Sequence, residues 1–78
     1  PNPIVNGNFN LKISTAEKTQ MELVITDMQG RVLQKRSVNM IAGFNTIPMN
    51  VPNLEAGTYQ LFVNTADGRT RVLRFVIQ

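Results

Sequence analysis

The chain has 78 residues with no cysteine and no histidine, which removes disulfides, zinc sites of the usual nitrogen–sulfur kind and the commonest general base together. Eight Lys and Arg against five Asp and Glu leave a net charge of +3, an excess that suits acidic surfaces but does not by itself argue for nucleic acid. At 42% hydrophobic and 17% charged, the composition is that of one small globular domain burying ~60% of its unfolded surface, with no apolar run long enough for a membrane span.

The chain opens on Pro1 without a basic-then-apolar leader, and is read as a fragment or processed product of a longer protein. Period two then dominates. Phe9, Leu11 and Ile13 share one face, and Asn10 and Lys12 the other. Ser14 to Gln20 holds helix formers without an apolar stripe, which reads as a loop or a single turn. Met21, Leu23 and Ile25 align against Glu22 and Thr26, with Val24 making the outer face partly apolar. In "TDMQGR", Asp27 is placed to accept hydrogen bonds from a turn that Gly30 closes.

"RVLQKRSVNM" does not alternate: Val32 and Leu33 are adjacent, as are Lys35 and Arg36. A bulge would explain it, or an edge position with Lys and Arg facing outward. After a break at Gly43, Ile47, Met49 and Val51 align, and Pro48 among them argues for an edge or a strand switch. After a second break at Gly57 come Tyr59, Leu61 and Val63, then a hairpin signal at Asp67-Gly68 and a basic C-terminal strand. Counting Asn39–Ile41 and Met49–Val51 as extensions or separate pieces gives about seven short strands in an all-β antiparallel sandwich. Its expected core is Phe9, Leu11, Met21, Leu23, Ile25, Ile47, Leu61 and Val63.

Leu54, Gly57 and Tyr59 have the layout of a corner in a Greek-key sandwich, where a tyrosine hydroxyl bonds backbone a few residues upstream. Gly57 would permit a positive φ and Leu54 would plug the sandwich end. The alternative, an exposed ring stacking on a sugar or base, is disfavoured because Tyr59 shares a face with Leu61 and Val63. Phe62 falls on the outer face, covered by a neighbouring strand, loop or parent protein, or else standing as a contact site.

No catalytic constellation is present. Asp27 and Asp67 could be imagined as a carboxylate pair, but each sits in a turn that uses Asp for local hydrogen bonds. Glu17, Glu22 and Glu55 are scattered. Arg69, Arg71 and Arg74 make the last hairpin basic, as a solvated strand or as a docking surface. Nucleic acid would want aromatics interleaved with those charges, and Phe75 alternates with Arg74 to the other side.

Taken in order, these pieces closely resemble the type A C-terminal sorting domain of the type IX secretion system of Bacteroidetes, over essentially the whole chain. The motif residues are Asn2, Pro3, Gly7, Phe9 and Leu11 at the opening, Asp27 and Gly30 in the first turn, and Gly43, Asn45 and Ile47 in the middle. Leu54, Gly57, Tyr59, Leu61 and Val63 follow, with Gly68 in the last turn. The close, Arg74 to Gln78, departs from the Lys-and-valine strand and short basic tail usual in the family.

The resemblance implies an Ig-like Greek-key sandwich without catalysis, cofactor or metal, acting as the secretion signal of an upstream cargo. The implied partners are an outer-membrane translocon and a sortase-like peptidase that cuts upstream of Pro1. The implied route runs through the periplasm to the cell surface or the medium. It places the recognition signal near the terminus, at Arg69, Arg71, Arg74, Phe75, Val76 and Ile77. A partner could add a strand to an exposed edge or clamp the last hairpin, and self-association through such an edge is a further expectation. The rival readings are a fibronectin-like adhesion or carbohydrate-binding module, disfavoured by one Tyr and no Trp, and a structural cap on an upstream catalytic domain.

Overall fold

A computed structural model describes residues 7–51, 54–66 and 68–78, and within them every regular element is a strand. They are β1 (Asn8–Thr15), β2 (Thr19–Thr26), β3 (Val32–Met40), β4 (Gly43–Asn50), β5 (Gly57–Thr65) and β6 (Thr70–Ile77). The described strands number six rather than about seven, because Asn39 and Met40 extend β3 while Met49 and Asn50 extend β4. The stretch after Ser14 is a short connection, with residues 16–18 joining β1 to β2.

Two antiparallel sheets result, β1-β4 and β3-β2-β5-β6. Hairpins join β2 to β3 and β5 to β6 within one sheet, whereas the β1–β2, β3–β4 and β4–β5 connections change sheet. The β1–β4 and β2–β5 pairs thereby interlock in the manner of a Greek-key sandwich.

The alternation of the sequence turns directly into burial. Leu11 and Ile13 of β1, Met21, Leu23 and Ile25 of β2, Ile47 and Met49 of β4, and Leu61 and Val63 of β5 all face the core. Each buried aliphatic of this size contributes about 1.5–3 kcal/mol. Phe9, expected in the core, is only partly buried, because it lies at the start of β1 where the sandwich ends. Met40, Val51, Tyr59, Phe75 and Ile77 complete the buried cluster among the described residues.

β3 is an edge strand and also carries a bulge. Ile25 pairs with Gln34 and Thr26 with Val32, so Leu33 is left without a partner. Lys35 faces outward as expected and lies 3.7 Å from Glu22. Arg36 does not: it turns towards the second sheet, where its Nη1 donates to the Pro48 carbonyl at 2.9 Å. Adjacent strand residues must face opposite sides, so the two cations cannot both point outward. Pro48 lies on β4, whose only strand partner among the described residues is β1, as its missing N–H requires.

The outer face of the larger sheet is ordered too. Val24, Phe62 and Val72 stand directly opposite one another on β2, β5 and β6, so Phe62 is half-covered by its cross-strand neighbours. A polar row crosses near one end, where Glu22 meets Lys35 and Asn64, and Thr70 donates to Asn64 at 2.9 Å.

Candidate docking surface

The corner before β5 is built around Tyr59. Its hydroxyl donates to the Glu55 carbonyl at 2.6 Å. Its ring stacks on Phe75 with centroids 5.8 Å apart, and Phe75 in turn meets Phe9 at 5.3 Å. With its ring buried in that stack, Tyr59 is a brace and not a sugar platform. Leu54 packs against the core beside it. Gly57 has φ 158°, at the margin of ordinary extended backbone, and a Cβ there would come no closer than 4.0 Å to the Tyr59 ring.

Both hairpin turns use one device. The Gly30 amide donates to the Asp27 carbonyl and the Gly68 amide to the Thr65 carbonyl, each at 3.1 Å. A side-chain oxygen then collects the next amide: Asp27 Oδ1 accepts from Arg31 N at 2.9 Å, and Thr65 Oγ1 from Arg69 N at 3.0 Å. Asp27 also accepts from Gln29 N at 3.0 Å and pairs with Arg31 Nε at 3.2 Å. It is thus occupied by its own turn, and Asp67, the other carboxylate of the imagined pair, lies outside the described residues. Among the described residues no cluster of acids could hold a metal ion.

The role of Asn45 was not legible beyond its place in the motif. Its Oδ1 accepts from Ile41 N at 2.9 Å, and its Nδ2 reaches the carbonyls of Ile41 at 2.9 Å, Gly43 at 3.2 Å and Ile13 at 3.4 Å. One amide thus clamps the crossover from β3 to β4, whose Gly43 has φ 99°. Beside it Phe44 is 88% exposed, on the outer parity of β4, with Ile41 62% exposed next to it. Its phase opposite to Ile47 and Met49 was the available signal.

The proposed recognition residues divide between the faces of β6. Pairing with Thr58 and Gln60 sets Val76 and Arg74 on the outer face, both exposed. Phe75 and Ile77 point inward and are buried. Arg71 shares their parity but is exposed, because it lies beyond the cover of the smaller sheet. Arg69 and Arg71 line a groove of about 330 Å³ with Lys12 and Ser14 of β1. The terminus thus carries charge on two faces and hides its aromatic between them.

A family model described as a secretion system C-terminal sorting domain matches residues 1–78. The chain belongs to this family. As a type IX sorting domain it is a signal and not a catalyst, and its route leads to the cell surface or the medium. No curated protein matches the chain. No helix among its described residues is long and apolar enough to cross a membrane. The motif positions of the sorting domain are largely architectural. The Gly7 carbonyl accepts from Val51 N at 2.7 Å, closing the start of β1 onto the end of β4. Asp27, Gly30 and Gly68 make the turns, Gly43 and Asn45 the crossover, Leu54 and Tyr59 the corner. Asn2 and Pro3 lie outside the described residues.

Proposed function

We propose that this domain is the C-terminal part of a longer secreted protein and carries its cargo across the periplasm to the outer-membrane translocon. A sortase-like peptidase then removes it by cutting upstream of Pro1. The observation that carries this reading is the family match along the entire chain. The exposed cations of the last hairpin, Arg69, Arg71 and Arg74, are the proposed contact groups, with Val76 beside them. Phe75 and Ile77 act from the core by holding the strand in place.

The test is a fusion of the domain to an inert reporter in a bacterium with a working type IX system. Charge reversal at Arg71 and Arg74 should leave the reporter in the periplasm while the domain melts as wild type, since exposed substitutions usually shift stability by less than about 0.5 kcal/mol. Normal export of the reversed domain would remove these arginines from the contact.

A further inference from the structure

We propose that the outer edge of β1 takes up an extended acidic segment of a partner protein as an added strand. Among the described residues the smaller sheet has two strands and the larger four, so the sandwich has a ledge. There Leu73 is 44% exposed, although its cross-strand neighbour Leu61 on the same inner face is 1% exposed. The groove along this ledge has Ile13, Met21, Val63 and Leu73 as its apolar floor. Lys12, Arg69 and Arg71 supply the charge, and none of the described residues lining it is acidic.

The sheet edges differ in how they resist another strand. β3 is interrupted by its bulge at Leu33 and displays Lys35. β4 has Pro48, which offers no N–H, and its carbonyl is already bonded to Arg36. β6, the other edge of the larger sheet, carries two arginines, and β1 has neither bulge nor proline. It runs from Asn8 to Thr15 in unbroken register with β4, without proline, and Lys12 is its one charge. In an antiparallel ladder alternate residues turn both backbone groups away from the partner, so β1 presents donors and acceptors to the groove.

Charge decides the occupant. An added strand alternates its side chains, so one face could rest apolar residues on Leu73 and Ile13 and end in a carboxylate at Arg71, while carboxylates of the other face reach Lys12. A second copy fits badly, because it brings the same net charge of +3 and would set Lys12 of one β1 close to Lys12 of the other. The inference deepens the docking role proposed above and rests on it only for the claim that the partner belongs to the export machinery.

The test titrates the isotope-labelled chain with a synthetic peptide of about eight alternating aspartates and valines, long enough to span β1. Amide shifts should concentrate on β1 and on Thr70–Leu73, and affinity should fall as salt rises. The lysine–valine counterpart should not bind. Paired Lys12→Glu and Arg71→Glu should weaken binding roughly tenfold or more with unchanged melting. A peptide methylated at alternate backbone amides keeps its charge but loses its ladder donors, and equal binding by it would overturn strand addition. So would shifts mapping to β3, undiminished binding by the reversed variant, or a dimer that closes this edge. Export is scored separately for the reversed variant: lost export with intact peptide binding condemns the strand addition alone, and lost peptide binding with intact export condemns the docking role alone.

Discussion

Tyr59 and Asn45 each hold a place where the chain leaves one sheet for the other, and each does so by satisfying backbone groups that no strand can reach. For Tyr59 the ring and the hydroxyl are separable. Tyr59→Phe keeps the stack on Phe75 and loses the bond to Glu55, which should cost about 0.5–1.5 kcal/mol. Tyr59→Ala empties the site as well and should cost about 3–5 kcal/mol. Urea unfolding distinguishes them, and equal losses would mean that the ring contributes nothing beyond its hydroxyl. Asn45 allows a sharper comparison. Asn45→Asp retains the acceptor for Ile41 N but turns an oxygen towards the carbonyls of Ile41 and Gly43. It should destabilise at least as much as Asn45→Ala, by about 1–3 kcal/mol for groups left facing the wrong partner. A milder effect of the aspartate in the same assay would deny the clamp.

At the scale of elements, the crossover from β3 to β4 leaves Ile41 and Ala42 between the strands and depends on Gly43 at φ 99°. A Cβ at Gly43 would meet no neighbour within 4 Å, so the penalty of Gly43→Ala is backbone strain alone, about 1–2 kcal/mol. Thermal or chemical melts check it, and an unshifted midpoint would show that the turn can relax. Pro48 defends β4. Because a strand residue turns its N–H and C=O to the same side, the Arg36 bond to the Pro48 carbonyl places the missing N–H on the open edge. Pro48→Val should raise concentration-dependent self-association in sedimentation while barely changing the monomer's melt.

The strands themselves were legible because Met21, Leu23 and Ile25 on β2 and Tyr59, Leu61 and Val63 on β5 recur at every second position. β3 was not, since a bulge at Leu33, its second residue, shifts the phase at its start. The direction of Arg36 was hidden for the same reason. Pairings such as β1 with β4 and β2 with β5 join residues far apart in sequence, which no local pattern encodes.

For the molecule as a whole, the C-terminal strand has two faces that the sequence presented as one. A basic, apolar terminus reads as a single patch, yet the pleat sends Phe75 and Ile77 into the core and leaves the arginines outside. Removing Arg74–Gln78 should therefore abolish cooperative melting altogether, because it strips the Phe75 ring from both Tyr59 and Phe9. A truncated chain that still melts cooperatively would show that β6 is dispensable. The groove was out of reach of sequence reasoning because Lys12 and Arg71 lie on strands that belong to different sheets.

The position of β1 also has a mechanical side. A pull applied at the start of β1 would enter the domain through Asn8. A partner strand laid along the same β1 would take the tension directly, passing it from cargo to machinery through one strand. Backbone rungs lie across the strand axis, so such a pull loads many rungs in shear rather than peeling them singly. The core, with its corner and crossover, would stand outside the load path, and the label could be hauled without being unravelled.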